Sequence, residues 1–435
     1  MNLSEDHFAQ RLEAELGVAA VKSESNLLAS YAVDGKQPLL FCLPDTPAQV
    51  AAVLRIGSES NAAMIPWGGG TAIGIGNLPR RIDLVIGLNR LSRLVEHDDA
   101  NLTATLEAGM TLAHAQALVA PRNQFLPFDP PRVGHSTIGG IIAASLNGPR
   151  RMFYGSVRDL VIGMKVALVS GEPIKAGGKV VKNVAGYDMC KLFVGSFGTL
   201  GIITETTVRM APIPETAATM IALGSLPQVR QLADEVSRSA LLPAAVVLMN
   251  SQGPAANGAQ GNWRVAVWSE GFEDSVARHL RDTQATAERL GLGAAVLREK
   301  AHEQLWTKVR DFPLEAERLV YRVTVPRGSV AEFVTTVEGW CGSDFHPAIV
   351  SDVVAGTVWI SLAANPDVAM TWFSKLIAAA RDREGHAIIL SAPPASKDGI
   401  DIWGSAPSSL SLMREIKRQF DPNGLLNPGR FVAGI

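Results

Sequence analysis

Apolar residues along this chain recur at helical and at strand spacing, and the period changes at identifiable places. Phe8, Leu12 and Leu16 share one helical face, with Ser4 at the cap position and Gly17 at the stop. Residues 39–43 are an apolar run of strand length. Thr46-Pro47-Ala48-Gln49 then reads as a capping box with proline in the first helical position, predicting a helix to about Ile56. Strands are predicted at 62–65, 83–86 and 103–107, and Thr111 caps a helix carrying Leu112, Ala115 and Leu118. Residues 161–170 are mostly β-branched or apolar, and 202–209 alternate. A polar, proline-containing stretch at 211–215 marks a domain boundary.

Beyond it the pattern changes. Amphipathic helices are predicted at 228–240 and 273–290, and strands at 244–249, 263–268, 319–325 and 357–362. This order predicts an α+β domain with helices on one face of a sheet. A helix at 411–420 leads into the turn-dense tail 421–430. The chain therefore divides into domains 1–215 and 216–410 and a carboxy-terminal segment 411–435.

Composition narrows the function classes. Hydrophobic residues make up 47% of the 435 and charged ones 19%, as in an ordered globular protein. A net charge of −2 without clustered Lys and Arg argues against a nucleic-acid partner. Cys42, Cys190 and Cys341 stand far apart with no C-x-x-C pair, so neither an iron–sulfur cluster nor a structural zinc site is expected. The acidic start lacks a signal-peptide core, and the longest apolar candidate, 241–249, has the length of a core strand. The expectation is a cytoplasmic protein, membrane-attached only peripherally through partners.

Glycine supplies the chemistry. Five glycines fall within the eleven residues from Pro66 to Gly76, directly after a predicted strand. A backbone without Cβ atoms approaches a ligand closely and turns its amides toward phosphate oxygens. The spacing matches neither G-x-G-x-x-G nor G-x-x-x-x-G-K-[ST]. A second block runs from Gly134 through His135, Ser136, Thr137, Gly139 and Gly140, followed by the turn Asn147-Gly148 and by Gly155. A third holds Lys182, Tyr187 and Asp188 ("KNVAGYD") and continues into "GSFGTLGIITE" from Gly195 to Glu205.

These blocks, in this order, resemble the FAD-binding domain of the vanillyl-alcohol oxidase (PCMH-type) superfamily. With the tail "FDPNGLLNPGRF" (Phe420 to Phe431), they most resemble the FAD-binding E subunits of bacterial glycolate oxidases. The resemblance covers about Leu39 to Arg209 and Gly385 to the end. It implies an α+β fold: a PCMH-type FAD-binding domain of two α/β subdomains plus a ferredoxin-like α+β cap. The implied cofactor set is Pro66, Gly68, Gly69, Gly70, Thr71, Ala72 and Gly74 from the first loop. His135, Ser136, Thr137, Gly139, Gly140, Asn147, Gly148 and Gly155 come from the second block. Lys182, Gly198, Gly201, Ile202, Ile203 and the tail residue Asn427 complete it, with Arg430 near the ring. Superfamily members with covalent flavin use a His or Cys near the first loop; Trp67, Thr71, Ala72 and Ile73 offer none, so FAD is expected to be noncovalent.

Oxidation of a 2-hydroxy acid needs a hydride acceptor, a base and a cation for the carboxylate. His386 is the candidate base, against a structural role. Arg310 and Arg322 are candidate carboxylate clamps, against simple ion pairs. Trp403 either covers the flavin or fills core. The metal motif H-x-G-x-G-N-x-H of related D-2-hydroxyacid dehydrogenases is absent, so no metal ligands are assigned. The implied function is FAD-linked oxidation of glycolate or D-lactate within a complex containing a catalytic flavoprotein subunit and an iron–sulfur subunit. The alternatives are a stand-alone dehydrogenase and a non-catalytic assembly subunit.

Overall fold

The computed structural model describes residues 5–178, 188–254, 263–315, 317–341 and 346–435. Two compact units form. The first contains Met1–Asn147, Val157–Pro212 and Lys397–Ile435; the second contains Gly148–Ser156 and Ile213–Ser396.

In the first unit, Leu40–Cys42, Leu84–Gly87 and Met64–Trp67 run parallel as neighbours, with Val21–Lys22 antiparallel on the far side. Helix Pro47–Glu59 buries Val50, Val53, Leu54 and Ile56 in the same cluster as Leu84, Ile86 and Met64. Thr46 caps it by accepting from Gln49 N (3.2 Å). The predicted box is incomplete, because Gln49 Oε1 accepts from Asp45 N (2.7 Å) rather than from the Thr46 amide. The helix also runs past Ile56 and stops only before Asn61, whose φ is +52°. A second sheet orders Leu94–Asp98, Thr103–Glu107, Ile202–Arg209, Val161–Ala167 and Pro173–Gly177, all antiparallel.

The second unit is one eight-stranded sheet paired antiparallel throughout. Its strand Thr216–Gly224 is rich in alanine and carries no strong strand signal. It forms because nine residues pair in register with Trp263–Gly271. Tyr321 donates its hydroxyl to Ala369 O of helix Pro366–Arg381 (2.7 Å), which places the helix over one face. Alternation along Arg318–Thr324 then turns Arg322 to the opposite face. Across that opposite face, Trp268 and Ala266 pack with Leu305 and Trp306 of helix Glu299–Asp311.

Among the described residues no helix is long and apolar enough to cross a membrane.

Candidate functional site

The glycine loop leaves the carboxyl end of Met64–Trp67, where open parallel sheets present their ligands. It forms one wall of a cleft of about 870 Å³, including its open mouth. The amides of Gly68, Gly69, Gly70, Thr71 and Ala72 find no acceptor among the described residues. Consecutive unpaired donors of this kind suit anionic oxygens.

The second wall is helix Ile138–Ala144, capped by Thr137, which accepts from Gly140 N (3.3 Å). The two walls touch: a Cβ on Gly69 would lie 1.7 Å from the carbonyl oxygen of His135. Thr71 Oγ1 and Ser136 Oγ are 3.0 Å apart, and Ser136 donates to Pro131 O (2.8 Å).

The third wall is the turn around Gly198, whose φ is +66° and whose Cβ would sit 2.6 Å from Pro66 Cγ. Its neighbour Phe197 holds φ +53° and accepts from Asn427 Nδ2 (2.5 Å).

The tail closes the cleft. Met64 N donates to Leu425 O (2.7 Å) and Asn427 N to Met64 O (2.9 Å), so the tail runs along the edge strand. Arg430 donates to the carbonyls of Ile73 and of Ile75, the latter at 2.8 Å. Lys397 donates to Gly74 O (2.6 Å) and pairs with Asp34 (2.7 Å). Lys417 donates to Thr199 O (2.8 Å), Leu426 O (2.9 Å) and Asp421 (2.6 Å). Burial pushes Arg430 down to about 10 against the opposing charge of Asp34. Burial also lowers Lys397 and Lys417, against the carboxylates of Asp34 and Asp421. Two buried polar atoms of cleft-lining residues stay without partners, Asn427 Oδ1 and Arg430 Nε. An unpaired amide row, a free acceptor and a free cationic donor fit the FAD expected from the sequence.

Of the sequence-assigned residues, Pro66, Gly68, Gly69, Gly70, Thr71, Ala72, Thr137, Gly139, Gly140, Gly198, Gly201, Ile202, Ile203 and Asn427 line the cleft. Gly74, His135 and Ser136 are not among its lining residues. Asn147 accepts from Val157 N (2.8 Å) and pinches the chain where it leaves the first unit. Gly148 and Gly155 belong to the second unit. Lys182 and Tyr187 lie outside the described residues. Leu88, Ala108 and Ala143 also line the cleft; as ordinary apolar core residues they carry no sequence signal. Trp403 donates to Arg430 O (3.0 Å) and packs edge-on to Phe197 (4.9 Å) and Phe431 (5.0 Å).

The catalytic candidates fall in the second unit. Arg310 donates to Thr307 of its own helix (3.1 Å). His386 opens the edge strand His386–Ser391, opposite Thr324. Partial burial, then the charge of Arg322, lowers its pKa. Arg322 pairs in register with Trp359 and Ile388. Sequence reasoning missed a buried network nearby. Trp306 Nε1 donates to Thr219 Oγ1 (2.7 Å), and Thr219 Oγ1 lies 2.8 Å from His302 Nδ1. The indole only donates, so Thr219 Oγ1 accepts from it, and the same oxygen meets the imidazole of His302. Burial first, then Arg150 and Arg310, pushes His302 down to about 4.

Comparison with known proteins supports the cofactor assignment. Residues 38–177 match an FAD binding domain model, and 405–431 match the C-terminal domain of FAD linked oxidases. Glycolate oxidase subunit GlcE of Escherichia coli (strain K12) is 30% identical, over 79% of this chain and 85% of that protein. Glycolate oxidase subunit GlcD of Bacillus subtilis (strain 168) is 29% identical, over 90% and 88% respectively. The structure of p-cresol methylhydroxylase with substrate bound superposes with a TM-score of 0.77 at 17% identity, covering 98% of this chain and 96% of that one.

Proposed function

Because the chain belongs to the FAD-linked oxidases of the vanillyl-alcohol oxidase (PCMH-type) superfamily, we propose that it serves a glycolate oxidase-type complex as an FAD-bearing subunit. FAD is its cofactor, and the chain is an FAD-dependent oxidoreductase. In this reading the substrate is a small 2-hydroxy acid, glycolate or D-lactate, and electrons leave to an iron–sulfur partner. The observation that carries it is the unpaired amide row of Gly68 to Ala72 in a chain similar to glycolate oxidase subunits.

Bound FAD supplies a two-electron acceptor. The amides of Gly68 to Ala72 would hold its anionic oxygens, and Asn427 Oδ1 would accept a hydrogen bond from it. Among the described lining residues none is Cys or His, and the attachment in this reading is noncovalent. In the second unit Arg322 offers the planar, two-pronged donor set that a carboxylate takes.

The purified chain is expected to show flavin absorption near about 370 and 450 nm and to release the flavin on acid precipitation. A colourless protein defeats the FAD reading, and flavin left in the pellet defeats noncovalent binding. Co-purification with an iron–sulfur protein supports the complex. Rapid bleaching of the lone chain by glycolate or D-lactate without oxygen overturns the subunit reading in favour of a stand-alone dehydrogenase.

A further inference from the structure

Within the first unit, a short turn near the amino terminus braces the cofactor loop. Val33 and Lys36 exchange both main-chain hydrogen bonds (2.9 and 3.0 Å), and Asp34 and Gly35 between them hold φ of +50° and +82°. Asp-Gly is favoured in a two-residue hairpin with positive φ at both positions, so local sequence builds this tip. The turn meets the loop at three places. Tyr31 stacks on Phe41 (3.8 Å) and stands edge-on to Trp67 (5.2 Å), the residue before the unpaired amides. Lys36 Nζ donates to the carbonyls of Pro79 and Arg80, both at 2.9 Å, a few residues past the loop's last glycine. Between these places, Asp34 Oδ1 accepts from Lys397 Nζ (2.7 Å), which also donates to Gly74 O (2.6 Å).

The Asp34–Lys397 pair serves the loop and not the ligand directly. Its side chains are 5% and 1% exposed, yet neither residue lines the cleft, and Gly74 does not either. Ile73 and Ile75, on either side of Gly74, do line it, and Arg430 takes both of their carbonyls. Two buried cations thus hold three successive carbonyls of the loop. The Gly74–Ile75 peptide is planar, so a clamp on its carbonyl also aims its N–H. That N–H donates to Ala72 O (3.0 Å), at the last residue of the unpaired amide row. A continuous chain of contacts therefore runs from Asp34 through Lys397 and Gly74 to Ala72. Burial lowers the Lys397 pKa and the Asp34 carboxylate opposes that shift, so Asp34 keeps the ammonium charged where Gly74 needs it.

We propose that Asp34 is a positioning residue for FAD binding: through Lys397 it fixes the Gly74–Ile75 peptide and, with it, the amide row Gly68 to Ala72. This deepens the preceding reading and rests on its cofactor assignment. The turn itself does not depend on the carboxylate. Val33 is fully buried in a cluster against which Tyr31, Trp67 and Ile73 pack, and Lys36 keeps its two carbonyls. Removing the charge of Asp34 therefore loosens the loop more than it loosens the turn.

The test compares FAD affinity with fold stability in the full chain. Fluorescence quenching on adding FAD back to the flavin-depleted chain reads the first, and chemical denaturation of that chain reads the second. Asp34→Asn keeps a residue that tolerates positive φ and removes the charge. It is expected to weaken FAD binding at least about tenfold, and Lys397→Met should do the same. Each single variant strands one buried charge and loses stability. The double variant Asp34→Asn/Lys397→Met strands none and should regain most of that stability. Its FAD binding should nevertheless stay at least about tenfold weaker than wild type, because Gly74 O still lacks its donor. A role in stability alone predicts that affinity returns with stability in the double variant. That outcome overturns the proposal, as does wild-type affinity in Asp34→Asn. Where a single variant does not fold, the double variant decides. A wild-type chain that takes up no FAD defeats the underlying cofactor reading instead, so the two failures are distinguishable.

Discussion

The buried cations of the two units are used in opposite ways. In the first unit Lys397, Lys417 and Arg430 each donate to main-chain carbonyls of the segments around the cleft, at Gly74, at Thr199 and Leu426, and at Ile73 and Ile75. Both lysines also meet a buried carboxylate, Asp34 or Asp421. In the second unit Arg322 buries its Nε with no partner among the described residues, while Thr219 meets both Trp306 and His302. The cations that shape the cleft are held by the backbone they bind, with Arg430 keeping its Nε free.

The largest test of this contrast is Lys417→Met. It leaves Asp421, 1% exposed, without its cation, and the expected loss is about 3–5 kcal/mol of unfolding free energy. Chemical denaturation reads it; a loss within about 0.5 kcal/mol would show that the tail is not held through this pair.

Next comes pH. His302 has a folded pKa near 4, below its ordinary 6.5, so its neutral form is favoured in the fold. Its contribution is full above 6.5 and is lost as pH falls from 6.5 toward 4. Stability should drop on the order of 2 kcal/mol over that window. His302→Asn should flatten the slope; an identical slope in the variant would remove His302 from the account.

A smaller effect separates steric from electrostatic shaping of the cleft. Gly69→Ala drives a Cβ into the His135 carbonyl and should weaken FAD binding about tenfold, measured by fluorescence quenching. Gly74→Ala meets nothing within 4 Å and should change stability by no more than about 0.5 kcal/mol. Equal effects of the two substitutions would mean that close packing against the second block does not set the loop.

Local sequence encoded much of this. Thr46, Thr111 and Thr137 each cap the helix that follows, because capping depends on a side chain and amides only a few residues away. The strands Thr103–Glu107 and Ile202–Arg209 lie where alternation and β-branching predict. Strand Thr216–Gly224 was not legible, since its pairing partner rather than its own residues makes it a strand.

By itself the sequence determined the glycine-rich loops, because a backbone that must come close to a ligand leaves a dense local signature, and the resemblance of those blocks to PCMH-type domains implied FAD. Only the tertiary structure decided what the charges do. Lys397 meets Gly74 across 323 positions and Arg430 meets Ile75 across 355. Arg151 follows a glycine block of the first unit yet belongs to the second. A charged side chain reads alike along the chain whether it ends up paired or spare; folding alone sets which carbonyl, carboxylate or open space lies within its reach.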